Sequence, residues 1–244
     1  MRKGTLVTVL LLGALVLGAA EPEAKLMRGM GPWKLLESAY RYLERQPAFT
    51  LEATTVNEDV VAKGVVTEVR HRIRVDLQRP DRVRVRVEGD SKDREYLMRK
   101  GEFIVWDRQY GLYGELQTPE TVDGTLDFLY DRYGIATPLA NLLYSDLSRR
   151  LKPRAKGYYF GLRLLDGVWC HYLAFDNARK ELEIWIRAEG PPQIRRFVII
   201  DKSSTYRLHS ATTIRWISMG RVEGRPFETI PPKGAHRIPI EPAQ

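Results

Sequence analysis

Five side chains suit metal or nucleophilic chemistry best: four histidines, His71, His171, His209 and His236, and a single cysteine, Cys170. The histidines are far apart, and none stands at ligand spacing from another. The chain has no His-Glu-x-x-His, Gly-x-Ser-x-Gly or Cys-x-x-Cys stretch and no glycine-rich phosphate loop. Cys170 and His171 are neighbours in the strand-like run Val168–Tyr172, so they point to opposite faces and form no simple dyad. Cys170 reads as a small core residue. The carboxylates mostly lie beside basic residues on outer faces. No catalytic residue, metal site or cofactor is therefore expected. An enzyme reading would return if distant groups, such as His171, His209 and Asp201, met in one polar pocket.

The densest charge pattern is basic. Val69–Leu77 alternates strictly, with Val69, His71, Ile73, Val75 and Leu77 on one face and Glu68, Arg70, Arg72, Arg74 and Asp76 on the other. After the turn at Gln78–Asp81, Val83, Val85 and Val87 alternate with Arg82, Arg84, Arg86 and Glu88. Pairing Leu77 with Asp81 or Val83 puts every valine on one side of the hairpin and every arginine on the other; a slip of one residue mixes them. Arg70, Arg72, Arg74, Arg82, Arg84 and Arg86 then form a candidate anionic-surface strip for phosphates or acidic polymers. The plainer alternative is a solvated outer face, partly neutralised by Asp76 and Glu88, that resists edge association. A reader of nucleic acid would interleave aromatic rings for stacking. The six positions hold none, so no nucleic-acid partner is expected.

Around this hairpin the chain reads mainly as strands. Pro32–Gln46 is an amphipathic helix with Trp33, Leu36, Tyr40 and Leu43 on one face, opened by Pro32 and ended by Pro47. Strands follow at Phe49–Asn57, Gly64–Leu77, Arg82–Glu88, Arg94–Arg99, Glu102–Asp107 and Tyr110–Leu116. A second set covers Lys156–Leu165, Val168–Phe175, Glu181–Arg187, Ile194–Asp201 and Tyr206–Ile217. Asp166-Gly167 is a strong hairpin turn between the first two of these. In the last strand Tyr206, Leu208, Ser210, Thr212, Ile214 and Trp216 share a face.

Between the two sets lies the only long helical segment, Thr121–Leu151. Thr121 or Asp123 caps a helix whose apolar face is Leu126, Leu129, Tyr130 and Tyr133, closed by Gly134. Thr137 caps a second short helix with Pro138 at its first position and Leu139, Leu142 and Leu143 on its face. Ser145 starts a third piece, through Leu147 and Leu151, that Pro153 ends. These helices cover a sheet, and either plug it as core or line a ligand cavity; the pattern leaves both open.

The 244 residues carry a net charge of +8. Residues 1–20 combine Arg2 and Lys3, the apolar run Leu6–Leu17 and the small residues Gly18-Ala19-Ala20, the order of a secretory signal peptide cleaved near Ala20. The apolar run is short for a bilayer span. No cysteine follows it, so no lipid anchor is expected. Without Arg2 and Lys3, the mature chain carries +6, compatible with anionic surfaces. The reading divides the chain into a signal peptide at 1–20, a flexible N-terminus at 21–31, one domain over 32–233 and a proline-rich extended tail at 234–244. Phe227 and Ile230 are expected to pin the end of the chain.

Several stretches resemble a bacterial family of predicted periplasmic proteins. They are Arg79-Pro80-Asp81-Arg82, Arg132–Ile135 with Pro138–Asp146, Cys170–Phe175, Ile184-Trp185-Ile186 and Val198–Lys202. The resemblance spans Trp33 to Lys233 and assigns no residue a role. At fold level the chain is similar to the periplasmic lipoprotein carriers and lipoprotein-sorting proteins. That likeness implies an α+β, mainly β architecture: an unclosed antiparallel β-barrel of about eleven strands, with helices over its concave side. It also implies a cavity for lipid or lipoprotein acyl chains, faced by Leu126, Leu129, Tyr130, Tyr133, Leu139, Leu142 and Leu143. The expected partners are such acyl chains, together with a membrane surface or an envelope protein. The rival expectation is a non-catalytic envelope module with a packed interior.

Overall fold

The computed structural model describes residues 31–137, 139–151, 154–203, 205–224, 226–228, 231 and 233–243. The expected signal segment, the stretch before Gly31, Pro138 at its helix start, Pro153 as a helix stop and Ile230 as a pin lie outside the described residues.

The chain opens with α1 (Pro32–Glu44), then β1 (Ala48–Ala62), β2 (Val65–Gln78), β3 (Arg82–Gly89), β4 (Asp93–Arg99), β5 (Glu102–Asp107) and β6 (Leu112–Gln117). The cover follows as α2 (Val122–Tyr133), a 3-10 turn at Ala140–Leu142 and α3 (Leu147–Arg150). Then come β7 (Lys156–Leu165), β8 (Val168–Asp176), β9 (Lys180–Arg187), β10 (Ile194–Asp201), β11 (His209–Met219) and the two-residue β12 (His236–Arg237). All strands form one sheet, ordered β12-β6-β5-β4-β3-β2-β1-β11-β10-β9-β8-β7. Neighbours are antiparallel except the parallel β12–β6 pair. The two ends do not pair with each other, so the sheet is an unclosed half-barrel, as the sequence led us to expect.

Local chemistry accounts for the joints. Leu77 pairs with Val83, so Val75 faces Val85 and Ile73 faces Val87, all six buried on the concave side. Asp166 and Gly167 both take positive φ, 47° and 75°, the geometry of a two-residue turn matched to strand twist. Strands β1 and β2 run further than their apolar alternation, and residues 60–68 are exposed at the far end of their hairpin.

The core fills the concave side. Leu35, Leu36, Ala39 and Leu43 of α1 bury one helical stripe against it, and Trp33 packs on Phe175 with ring centres 4.4 Å apart. The tail is not free: Ile238 N–H donates to the Tyr113 carbonyl, and Ala243 N–H donates to that of Arg132. Phe227 packs against Leu97 and Ile104 on the opposite face of the sheet.

Candidate functional site

The cover is fastened at four points. Thr121 Oγ1 accepts the Gly124 N–H at 3.1 Å and starts α2, which ends at Gly134 in the left-handed region, φ 63°. Asp123 does not cap; its carboxylate accepts both the N–H and the hydroxyl of Ser145. Asp127 accepts the Tyr144 hydroxyl at 2.9 Å and a two-pronged pair of bonds from Arg150. The Arg150 guanidinium is the first reason that the Asp127 carboxyl titrates below its usual range. Glu44 at the end of α1 takes the N–H and hydroxyl of Ser148. Arg79, in the turn after β2, donates to the carbonyls of Leu143 (2.6 Å), Tyr144 (3.1 Å) and Gln46 (3.2 Å). The Arg79–Asp81 turn thus joins sheet, α1 and cover.

These fastenings hold Ala136, Thr137 and Leu139–Leu142 over a cavity of about 570 Å³ on the concave side. Its walls are Ile73, Val87, Tyr96, Leu182, Ile184, Ile194, Phe197 and Ile199 from the sheet, Tyr40 from α1, and Leu139 and Leu142 from the cover. Thr55, Asn57, His71, Ser210 and Thr212 add polar groups on β1, β2 and β11. Thr55 and Thr212 share a hydroxyl–hydroxyl bond of 3.1 Å; Ser210 bonds Asn57 at 2.6 Å, and His71 Nε2 meets Ser91 at 3.0 Å. Burial, reinforced by the charge on Lys92, moves the His71 imidazole below its ordinary value. Thr137 is 4% exposed, lines the cavity, and its hydroxyl finds no hydrogen-bond partner among the described residues.

The structure divides the expected cavity residues. Leu139 and Leu142 line the space. Leu126, Leu129 and Leu143 are buried in the packed core, and Tyr133 is half-buried against Phe128. Tyr130 is 66% exposed and faces solvent, because it lies at the edge of the buried stripe of Val122, Thr125, Leu126 and Leu129 and not at its centre. The expected second helix is shortened to the 3-10 turn, since Leu139 at φ 58° cannot continue a right-handed helix.

The six arginines share the convex face, as the hairpin register requires, but most have acidic partners. Arg74 meets Glu52 and Asp76, each at 3.2 Å, Arg82 meets Asp81 at 3.8 Å, and Arg86 meets Glu88. Arg84 binds the buried Glu95 at 2.6 Å. Arg70 and Arg72 are exposed, and no carboxylate among the described residues forms an ion pair with them. Arg72, Arg74 and Arg86 line a convex groove that Arg195 and Arg215 also enter.

Cys170 is fully buried, and burial pushes its thiol up to about 11. His171 points to the opposite, concave face, where Nδ1 lies 3.1 Å from the Tyr159 hydroxyl. Among the described residues, no group of three His, Cys, Asp or Glu side chains could hold a metal.

The fold and site define a class: an open half-barrel whose cover encloses a mostly apolar concave cavity. The chain belongs to the family described as "Predicted periplasmic protein (DUF2092)", whose model matches residues 33–241. No curated protein sequence matches it. Among solved structures it is similar to an uncharacterized conserved protein from Thermus thermophilus (11% identity, 84% of this chain and 97% of that one, TM-score 0.49). It is also similar to a LolA superfamily protein from Nitrosomonas europaea (10%, 76% and 92%, TM-score 0.36). A third likeness is the Mycobacterium tuberculosis lipoprotein LppX (9%, 75% and 93%, TM-score 0.43).

Proposed function

We propose that this protein is exported to the periplasm and there binds or carries an apolar or lipid-bearing ligand on the concave side of its half-barrel, without catalysis. The observation that carries this reading is the roughly 570 Å³ space walled by Ile73, Val87, Ile184, Phe197 and Leu142. A volume of that order suits a small-molecule ligand, and each methylene buried there contributes roughly 0.8 kcal/mol. Arg70 and Arg72, which form no ion pair among the described residues, are the members of the convex strip that would meet an anionic membrane surface.

The test is native mass spectrometry of the mature protein purified without detergent, with organic extraction of whatever it holds. A stoichiometric lipid or acylated adduct is expected. A clean apo mass, repeated after incubation with envelope lipid extract, would overturn the carrier reading in favour of a packed interaction module. The burial of Leu126 and Leu129 in α2, and of Leu143 after the 3-10 turn, accords with that module for those parts of the cover.

A further inference from the structure

The concave face is graded in the same direction along β1, β11 and β9, while β10 stays apolar through Ile194, Phe197 and Ile199 and β2 returns to Val69 after His71. On β1 the inward residues run Phe49, Leu51, Ala53, Thr55, Asn57; their partners on β2 run Leu77, Val75, Ile73, His71, Val69. The partners on β11 run Met219, Trp216, Ile214, Thr212, Ser210. Strand β9 runs Ile186, Ile184, Leu182, Lys180 towards the same end, since Leu182 pairs with Ile199, Ile199 with Ser210, and Ser210 with Asn57. On β3 the inward valines end at Val87, and Lys92 follows in the turn to β4. On these strands the surface thus changes from aliphatic, through hydroxyl, to amide, with the His71 imidazole beside them on β2, and the cavity ends at the two ammonium groups of Lys92 and Lys180 and the single carboxylate of Glu181.

Lys92 and Lys180 both line the cavity, are exposed, and have no carboxylate within ion-pair distance among the described residues. Acids stand at this end as well: Glu181 also lines the cavity beside Lys180, and Asp59 and Asp90 lie close enough to His71 for their charges to act on it. Glu58 accepts the His209 N–H, Asp90 the Arg70 N–H and Asp201 the Ser203 N–H and hydroxyl, while Glu181 lies 3.9 Å from Arg207. The buried, unpartnered Thr137 hydroxyl adds one more group available to a polar ligand atom.

We infer that the cavity takes an anionic amphiphile in one orientation, its chain against Ile73, Ile184 and Leu142 and its acidic head between Lys92 and Lys180. This rests on the cavity reading proposed above and adds the charge class and polarity of the ligand. Burying the chain supplies affinity for any amphiphile, whereas the lysines discriminate, because a cationic head there meets like charge.

The experiment compares three sixteen-carbon probes on the mature protein, each below its aggregation limit: palmitate, hexadecanol and hexadecyltrimethylammonium. Palmitate is expected to bind at least tenfold more tightly than the other two. The double variant Lys92→Glu/Lys180→Glu, both positions exposed, should lose that preference while still holding hexadecanol. Equal affinity for palmitate and hexadecanol, or a charge reversal without effect, would overturn the inference while leaving the cavity reading intact. If none of the three probes is held, both fall.

Discussion

His171 is the residue whose environment makes the plainest prediction. It is 1% exposed, its Nδ1 meets Tyr159, and its Nε2 has no hydrogen-bond partner among the described residues. Burial lowers its pKa, so the folded protein keeps it neutral at a pH where the unfolded chain already binds a proton. Stability from this group is therefore complete above the unfolded value, about 6.5, and erodes as pH falls from there towards the folded value. Urea unfolding at pH 7.5 and pH 5 should show this loss, and His171→Gln should flatten that part of the pH profile; an equal pH dependence in the variant would refute the assignment. Glu95 is a second such residue, 3% exposed and bound by Arg84. Glu95→Ala leaves a guanidinium without its partner and should cost about 3 kcal/mol in denaturant unfolding. Most cavity residues escaped the sequence reading because they sit singly on many strands. The signal was present in β11, where Ser210 and Thr212 interrupt an inward face shared with Ile214 and Trp216. Small hydroxyl side chains at core parity mark where packing stops and a cavity begins.

At the scale of elements, the cover is a set of short helices that depend on Arg79. Burial works against the Arg79 charge, while Asp123 and Glu44 nearby favour it. Arg79→Ala should cost roughly 2–3 kcal/mol for its charged hydrogen bonds and speed amide exchange in residues 139–151, with β1 and β2 still protected. Arg79→Lys should not restore protection, because a single ammonium cannot reproduce the planar fork across two carbonyls. Leu139 allows the lining to be changed separately from the fold. Its left-handed backbone is one that asparagine adopts readily and leucine does not. Leu139→Asn should therefore leave the melting temperature nearly unchanged while weakening ligand retention; unaltered retention would remove Leu139 and its neighbours Ala140–Leu142 from the binding wall. The strands were legible because alternation and turn chemistry are local: Leu77 opposite Val83 and the Asp166-Gly167 turn follow from neighbours in sequence. The β12–β6 pairing was not, since His236 and Arg237 carry no alternation and gain their place only from the free edge of a strand more than a hundred residues earlier.

The whole molecule has two faces of different character. The concave side holds the core and the cavity, while the convex side of β2 and β3 carries arginines that carboxylates on the same and neighbouring strands largely neutralise. A net charge of +8 alone does not say which cations are available to a partner; the ion-pair geometry does. Arg84 is committed to Glu95 and to the Pro226 carbonyl, so Arg84→Gln should lower stability and change surface binding little. Arg70 and Arg72 are exposed and carry no such load. Each cation near an anionic bilayer is worth about 1 kcal/mol, so Arg70→Gln/Arg72→Gln should weaken binding to phosphatidylglycerol vesicles by roughly thirtyfold at low salt, with the melting temperature unchanged. The difference between the variant and the parent protein should shrink in 0.3 M salt, where exposed charges are screened within about 6 Å. If the double variant sediments with the vesicles as well as the parent does, the strip is a solvated outer wall. Any membrane contact would then have to be made through the rest of the surface.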